Sequence, residues 1–381
     1  MNILNLRNFL VIACCLAFIF ILSCQSVNSI PEVYRPQKKN FDTIIDGKTI
    51  SLFTLINQNG LEVYLTNYGA RIVSLITPDR MGHKADIVLG FRTIKDYLTD
   101  MYTGCVVGRF ANRIGTRPVV IGNASFSFAV HKYPMLHGGK NGFNKKIWSA
   151  VQQGNTVRMQ YASPDGEEGF PGTLKTTITY TLNNKNELII EYSASTDKET
   201  IINLSNHSYF NLKGEGDSSI LDHYMMINSD SITPVDSILI PTGKLMAVAN
   251  TPFDFRNSKA VGTSIQNDNT QLRFGQGYDH NWVLSKQKNE QLSLAVSVAE
   301  KKSGRTMSIY TTKPGIQFYS GNFMSGQQTG KSGRPYLYRS AIVLEPQHFP
   351  DSPHYPNFPS TLLKAGETYH HKDVYVFAIE Q

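Results

Sequence analysis

Short segments in which apolar and polar residues alternate recur along most of this chain, and they constrain its fold more than any other feature. Residues 61–65 and 291–298 alternate with a period of two, which is the pattern of a half-buried β-strand. Three similar segments follow one another at residues 156–161, 176–182 and 187–192, with turn residues between them. This succession of strands and turns predicts an all-β fold.

A hairpin signal and the scarcity of helical patterns favour the same architecture. Gly122 and Asn123 separate two short strand-like runs, as in a two-residue β-hairpin. The best helix candidate is short, near residues 93–98, and no repeat with a period of about 20 to 50 residues indicates a propeller or solenoid. With 381 residues, 41% of them hydrophobic, the chain can bury a large core. Because no change of composition divides residues 41–381, we predict one large antiparallel β-sandwich.

The first 23 residues have the features of an export signal. Arg7 supplies a positive charge, and residues 9–22 are almost wholly apolar. This apolar run is shorter than the roughly 20 residues that a transmembrane helix requires. It ends in Ser23-Cys24, which resembles a bacterial lipobox. We therefore expect cleavage before Cys24 and lipid attachment to its thiol; an ordinary signal peptide is the alternative.

This interpretation predicts where the protein is found and how the rest of the chain is arranged. Lipidation at Cys24 would tether an exported protein to a membrane, with residues 24–40 as a polar tether and residues 41–381 as the folded domain. Because no acidic residue follows Cys24 directly, we expect the periplasmic face of the outer membrane. Cys105 is then the one cysteine left in the domain, so neither an internal disulfide nor a cysteine zinc site is expected.

The distribution of charges and histidines disfavours nucleic acids and metal ions as ligands. The formal net charge is +7, but the Lys and Arg residues are scattered, whereas nucleic-acid binding requires a basic cluster. His370 and His371 are adjacent and would face opposite ways in a strand, and His348 and His354 lack helical ligand spacing. We therefore predict no nucleic-acid partner, no metal and no cofactor.

Several polar segments contain residue types that suit a sugar. Arg113 can donate a planar fork to two hydroxyl oxygens, and the neighbouring amide of Asn112 can both donate and accept. His137 precedes a glycine-rich loop, Asp279 stands among aromatic residues, and Gln317 lies in a predicted turn-to-strand segment. Each also has a structural alternative, such as a surface turn or a core histidine.

Two further segments each place one titratable group among aromatic, prolyl and amide residues. Residues 206–212 contain His207, and residues 344–351 contain Glu345. A histidine with a near-neutral pKa can donate a proton and a carboxylate can accept one. The pair therefore indicates proton-transfer chemistry that requires no nucleophile, metal or cofactor.

Taken in order, these segments resemble the aldose 1-epimerase, or galactose mutarotase, family over roughly residues 42–380. The resemblance implies a large antiparallel β-supersandwich with its site in an open cleft, acting on a small aldose. The matching motifs are Asn-Tyr-Gly-Ala (67–70), Gly-Arg-Phe-Ala-Asn-Arg-Ile (108–114), Leu-His-Gly-Gly (136–139), Asn-His-Ser-Tyr-Phe-Asn-Leu (206–212), Thr-Pro-Val-Asp (233–236), Tyr-Asp-His-Asn-Trp (278–282) and Leu-Glu-Pro-Gln-His-Phe-Pro-Asp (344–351).

The resemblance also implies a role for each matching residue. His207 corresponds to the general acid and Glu345 to the general base. The residues implied in binding sugar hydroxyls, or in flanking the acid, are Asn112, Arg113, His137, Ser208, Tyr209, Asp279 and Gln317. Two departures from the family pattern affect the base strand: Ser340-Ala341 replaces a usual glycine, and Pro346 replaces a common Thr or Ser.

The implied reaction opens the sugar ring and closes it again on the other face. It requires Glu345 ionised and His207 protonated, and because their reference pKa values are about 4.3 and 6.5, we expect neighbouring negative charge to raise the pKa of His207. Two alternatives remain: a glycoside hydrolase that uses Asp279 and Glu345 as paired carboxylates, and a non-catalytic sugar-binding module. We expect a monomer or weak dimer.

Overall fold

β-Structure dominates the residues that the computed structural model describes, which are 33–129, 132–287 and 291–380. The α-helices in these ranges are six residues each, α1 (Ile94–Thr99) and α2 (Thr270–Gly275). Short 3-10 helices occur at Lys38–Asn40, Phe143–Lys145, Glu167–Gly169, Val261–Thr263 and Ser352–His354. Among the described residues no helix has the length and apolar character needed to cross a membrane. The predicted signal peptide and Cys24 lie outside the described residues.

The described strands fall into three consecutive groups along the chain. The first group is β1 (Thr43–Ile45), β2 (Lys48–Ile50), β3 (Leu52–Ile56), β4 (Glu62–Thr66), β5 (Arg71–Pro78), β6 (Lys84–Asp86), β7 (Val106–Val107), β8 (Arg113–Ile114), β9 (Val119–Ile121), β10 (Ala124–Phe126) and β11 (Met135–Leu136). The second group is β12 (Ser149–Gln153), β13 (Thr156–Ser163), β14 (Leu174–Leu182), β15 (Glu187–Thr196), β16 (Thr200–Ile201), β17 (Ser205–Asn206), β18 (Tyr209–Phe210), β19 (Tyr224–Ile227) and β20 (Ser229–Thr233). The third group is β21 (Met246–Ala247), β22 (Lys259–Ala260), β23 (Asp279–Leu284), β24 (Ser293–Ala299), β25 (Arg305–Thr311), β26 (Gly315–Tyr319), β27 (Ile342–Gln347), β28 (Leu362–Leu363) and β29 (Thr368–Ile379).

Three larger antiparallel sheets organise these strands, and one continuous hydrophobic core joins them. The nine-stranded sheet has the order β12-β13-β14-β15-β29-β25-β24-β19-β22, the six-stranded sheet β18-β27-β26-β23-β20-β21, and the four-stranded sheet β3-β4-β5-β6. Val63, Ile178 and Phe318, one from each sheet, are fully buried members of the same core cluster. The predicted all-β, antiparallel sandwich is confirmed.

Local sequence patterns account for several of these elements. In β14 and β15 buried residues alternate with more exposed ones along the whole strand, as the apolar alternation predicts. Gly122 and Asn123 form the turn between β9 and β10, in which Ala124 pairs with Ile121, and α1 begins with a capping box between Thr93 and Asp96. By contrast, β4 alternates in sequence yet is buried at every position, because it lies inside its sheet with both faces covered.

The last residues of the predicted tether lie on the domain. Tyr34 donates a hydrogen bond from its hydroxyl to the carbonyl of Arg92. Arg35 forms two hydrogen bonds with the Glu62 carboxylate, at 2.9 and 3.0 Å. The segment that enters the domain is therefore attached to it before the first strand begins.

Candidate active site

Three neighbouring strands of the six-stranded sheet place polar side chains in one row. Asn281 on β23 pairs with Gln317 on β26, and Gln317 pairs with Glu345 on β27. Directly paired residues of antiparallel strands have side chains on the same face, and Asp279 shares that face because it is two residues from Asn281. Gln317 donates to Asp279 Oδ1 at 2.6 Å. The register of the sheet therefore assembles a carboxylate–amide row that ends at Glu345.

His207 reaches this row from a bend between two short strands. It follows β17, which pairs with β7, and precedes β18, which pairs with β27. Its backbone N–H donates to the carbonyl of Cys105 at 2.8 Å, and its carbonyl accepts from Gly104 N–H at 3.0 Å. Gly104 has φ +74°, and a Cβ there would lie 2.1 Å from the carbonyl oxygen of Ile72, so this support requires glycine.

The two predicted catalytic side chains face each other in a buried setting. His207 Nε2 lies 3.8 Å from Glu345 Oε1, and the two side chains are 6% and 2% exposed. This separation is too long for a hydrogen bond. The Ser205 hydroxyl donates to the carbonyl of Pro346 at 2.8 Å. The bond ties β17 to the base strand at the very residue where the chain departs from the family pattern.

His137 is held in one tautomer beside His207. The backbone N–H of Asn112 donates to His137 Nδ1 at 3.1 Å, and the N–H of His137 donates back to the carbonyl of Asn112 at 3.0 Å. Because Nδ1 accepts, a neutral His137 carries its proton on Nε2. The rings of His137 and His207 meet edge to face with centroids 5.0 Å apart. His137 therefore presents an N–H donor next to the His207–Glu345 pair.

An aromatic wall closes one side of this group. The ring of Tyr102 lies 4.7 Å from that of His137 and 5.7 Å from that of His207. The ring of Tyr209 lies 5.1 Å from that of His207, and Tyr319 follows at 6.4 Å from Tyr209. These three tyrosines also line a neighbouring cavity of about 360 Å³, whose lining does not include His137, His207 or Glu345. Nothing in the sequence around Tyr102 identifies it, since its position depends on a loop held by distant residues.

Burial controls the acid–base properties of the pair. It lowers the pKa of His207 to about 4, with Asp100 acting in the opposite direction. Burial also raises the pKa of Glu345 to about 8, and Asp279 adds to that rise, whereas Arg113 and Lys313 oppose it. The expectation that neighbouring negative charge raises the pKa of His207 is therefore wrong, because the loss of hydration outweighs the nearby carboxylates.

Several buried polar atoms at this site have no hydrogen-bond partner among the described residues. They include His207 Nδ1, Glu345 Oε2, Asn281 Nδ2 and Gln347 Oε1. A buried polar atom without a partner costs roughly 1–3 kcal/mol, so a bound water, ion or ligand is expected to supply the missing bond. A small molecule with many hydroxyl groups would match this unused capacity.

His137, His207 and Glu345 also have the spacing of a metal site. One ligand atom each from His137, His207 and Glu345 lies within 4.8 Å of the others. Metal coordination through His137 Nε2 would require the proton to move to Nδ1, where the Asn112 N–H already points. The fixed tautomer thus disfavours a metal and favours a hydrogen-bond acceptor such as a sugar oxygen.

The remaining predicted residues are placed differently. Arg113 is half-exposed, in β8 next to Asn112, and its charge acts on both Asp279 and Glu345. Ser208 is buried, and its hydroxyl donates to Asn206 Oδ1 at 2.6 Å. The hydroxyl proton of Ser208 is therefore used within its own turn. Its predicted role in sugar binding stays a prediction.

Comparison with known proteins places this arrangement in a wider group. A family described as Aldose 1-epimerase matches residues 51–376. Galactose mutarotase from Sus scrofa is 41% identical over 333 residues, which cover 87% of this chain and 95% of the relative. Aldose 1-epimerase from Escherichia coli is 35% identical over 340 residues, covering 88% and 97%. The solved structure of an aldose epimerase homologue from C. elegans superposes with a TM-score of 0.80 and 30% identity, covering 87% of this chain and 100% of that one.

Proposed function

This chain belongs to the aldose 1-epimerase family, and we propose that it is a mutarotase, an isomerase that interconverts the α and β anomers of aldohexoses such as D-glucose and D-galactose. The observation that carries the proposal is the buried His207–Glu345 pair, 3.8 Å apart, with unused hydrogen-bonding atoms on both side chains. One acid and one base at this spacing suit the two oxygen atoms bonded to an anomeric carbon.

The reaction follows from the chemistry of these two groups. Glu345 removes the proton from the C1 hydroxyl while His207 donates a proton to the ring oxygen. The electrons of the O–H bond form the C1 carbonyl, and those of the C1–O5 bond remain on O5, giving the open-chain aldehyde. Rotation about the C1–C2 bond presents the other carbonyl face, and the two proton transfers then run in reverse. Each positioned acid or base typically contributes about 10²–10⁴-fold to the rate.

The pair must hold one proton, and burial determines where that proton rests. With pKa values of about 4 for His207 and about 8 for Glu345, the single proton rests on the carboxyl group in the free site. The reactive form has the same total charge but carries the proton on His207. The two forms differ only in proton position. The rate is therefore proportional to the fraction of enzyme in which the His207–Glu345 pair holds one proton. We expect a bell-shaped dependence of kcat/KM, with limbs near these two pKa values.

The surrounding residues supply sugar contacts of different kinds. His137 offers an Nε2–H donor, since Asn112 fixes its tautomer. Asp279 and Gln317 offer an oxygen acceptor and a further amide oxygen. The tyrosine wall can cover the apolar C–H face of the ring.

Conservative variants of the pair test the proposal. Glu345→Gln keeps the side-chain size, and His207→Asn keeps a smaller polar side chain. Each removes the proton-transfer group, so each should lower kcat by about 10²–10⁴-fold. Optical rotation of freshly dissolved α-D-glucose or α-D-galactose gives the rate. Asp236→Asn is the matched control, because this exposed carboxylate accepts hydrogen bonds within a turn. A near-wild-type rate for Glu345→Gln would show that the base is assigned wrongly, and release of reducing sugar from a disaccharide would favour a hydrolase.

We also propose that the enzyme is exported and lipid-anchored at Cys24, on the periplasmic face of the outer membrane. The support is the sequence of the first 24 residues, which lie outside the described residues. Metabolic labelling with a fatty-acid precursor and membrane fractionation test this, with Cys24→Ala as the control. Label retained in that variant would contradict the proposed attachment site.

A further inference from the structure

A second row of side chains lies beside the carboxylate–amide row, on the same face of the six-stranded sheet. Val343 on β27 pairs with Tyr209 on β18 and with Tyr319 on β26, and Tyr319 pairs with Asp279. Val343 precedes Glu345 by two residues, so both side chains share one face, and directly paired residues share it too. This tyrosine row therefore lies two residues, or about 7 Å, along the strands from the proposed base.

The tyrosine row borders the cavity of about 360 Å³, whose volume is in the range of small-ligand sites. Tyr209 and Tyr319 line this cavity together with Tyr102. The rings of Tyr102 and Tyr209 also contact the ring of His207. The cavity and the candidate active site thus share two aromatic side chains. A ligand that extends along the sheet from the His207–Glu345 pair meets this cavity next.

Two stacked rings form an aromatic platform in the lining of the cavity. The rings of Tyr319 and Phe323 are nearly parallel, with 17° between their planes and 5.8 Å between their centroids, and Phe323 is 53% exposed. The Tyr319 hydroxyl accepts from the backbone N–H of Phe323 at 2.7 Å, which fixes the platform and leaves the hydroxyl proton for a ligand. Such a platform suits the apolar C–H face of a sugar ring.

The polar groups of the lining favour a neutral ligand with many hydroxyl groups. No Lys or Arg among the described residues lines the cavity, and the carboxylate of Asp100 does, so an anionic ligand finds no counter-charge there. Within the described part of the chain, the hydroxyls of Tyr102 and Tyr209 form no hydrogen bond. Gln327 and Gln328 add exposed amides, which can both donate and accept.

We propose that this cavity is a subsite for a second pyranose ring, so that the enzyme also accepts reducing disaccharides and longer oligosaccharides. The reducing-end aldose would lie at His207 and Glu345, and the next sugar on the tyrosine row and Phe323. This inference rests on the proposed mutarotase function. Ring opening changes bonds only at the anomeric carbon and ring oxygen of the reducing end, so the glycosidic bond to the second sugar is neither made nor broken.

Phe323→Ala tests the subsite, because Phe323 belongs to the platform and lies outside the carboxylate–amide row. Exchange NMR between the two anomeric protons gives kcat/KM for D-glucose and for 1,3-, 1,4- and 1,6-linked glucose disaccharides without requiring a pure anomer. The variant should lower kcat/KM for at least one disaccharide by about three- to tenfold through KM, with D-glucose unchanged. Equal losses on D-glucose and on the disaccharides, or no loss on any disaccharide, would overturn the proposal.

Tyr133→Ala is the matched control, because Tyr133 is an aromatic residue that is 75% exposed and does not line the cavity. It should leave every rate unchanged. A binding measurement adds a readout that does not depend on turnover, because a methyl glycoside cannot open its ring. By calorimetry, the methyl glycoside of the most affected disaccharide should bind the wild type more tightly than methyl glucoside and lose that advantage in Phe323→Ala. Equal affinities for the wild type would contradict the subsite.

Two further outcomes separate this inference from the proposed function. If Glu345→Gln abolishes anomer exchange on every sugar while Phe323→Ala spares every disaccharide, only the subsite is wrong. If Glu345→Gln stays active on D-glucose, the assignment of the base fails, and the methyl glycoside titration still decides whether the second ring is bound.

Discussion

His207–Glu345 and Arg71–Asp100 are two buried acid–base pairs that differ in how their polar atoms are used. Arg71 Nη1 lies 2.9 Å from Asp100 Oδ2, and its guanidinium group also donates to the carbonyls of Thr103, Met101 and Asn144. His207 and Glu345 lie 3.8 Å apart, and each retains a buried atom without a partner. In the first pair both Asp100 oxygens accept hydrogen bonds and only Arg71 Nε lacks a partner, whereas the second pair has an atom without a partner on each side chain.

This difference separates a structural pair from the pair that we propose to be reactive. The loop of residues 101–103 connects the two pairs. The carbonyls bound by Arg71 belong partly to residues 101–103, the loop that carries Tyr102. The ring of Tyr102 lies against both His137 and His207. The Arg71–Asp100 pair therefore holds one wall of the candidate site that contains His207 and Glu345.

The largest expected effect comes from breaking the Arg71–Asp100 pair. Arg71→Met leaves Asp100 buried without its cation, so the free energy of unfolding should fall by about 3–5 kcal/mol. Urea denaturation followed by circular dichroism measures it. Lys84→Met is the control, because Lys84 is 35% exposed in its pair with Glu62 and such pairs contribute about 1 kcal/mol or less. Similar denaturation midpoints for Arg71→Met and Lys84→Met would contradict the structural role.

Removing the charge of Glu345 is expected to raise the free energy of unfolding, the opposite of the change expected for Arg71→Met. Because burial raises the pKa of Glu345 from 4.5 to about 8, the folded enzyme retains a proton that the unfolded chain releases above pH 4.5. The stabilising contribution of the neutral carboxyl is present below about pH 4.5 and is lost as pH rises through about 8. Because each pKa unit corresponds to about 1.36 kcal/mol, Glu345→Gln should gain about 3–4 kcal/mol over the wild type between pH 5 and pH 8.

Thermal or urea unfolding of Glu345→Gln and wild type at both pH values measures this gain. Asp236→Asn, which removes an exposed carboxylate, again serves as the control. A difference for Glu345→Gln that stays constant between pH 5 and pH 8 would mean that burial does not hold the carboxyl protonated. The expected combination, a more stable and inactive enzyme, would sharpen the contrast with Arg71→Met, which loses stability.

The smallest effect is expected at Tyr102, whose loop is held by Arg71 and whose ring contacts His207. Tyr102→Leu removes a ring that contacts two imidazoles, and contacts of this kind contribute about 0.5–1.5 kcal/mol. KM for the aldose should rise by about three- to tenfold with a smaller change in kcat, as polarimetric initial rates would report. Tyr133→Leu is the control, since Tyr133 is 75% exposed. A change confined to kcat would indicate that Tyr102 acts on the proton transfer and not on binding.

Sequence patterns predict part of this picture well. Alternation identifies β14 and β15, and motif order singles out His207 and Glu345, which the fold brings together. The row of Asn281, Gln317 and Glu345 could not be predicted from spacing, because the register of β23, β26 and β27 creates it. The pKa directions were also out of reach, since they depend on burial rather than on neighbours along the chain.

The strand order of the large sheet has a consequence for how the enzyme is made. The twelve-residue strand β29 is the fifth of nine strands, between β15 and β25. A ribosome delivers this central strand after all the others, so β12–β15 and β24–β25 are synthesised long before the piece that joins them exists. For a chain that we propose is exported, this order postpones closure of the sheet until β29 has been synthesised, which favours passage across a membrane before folding.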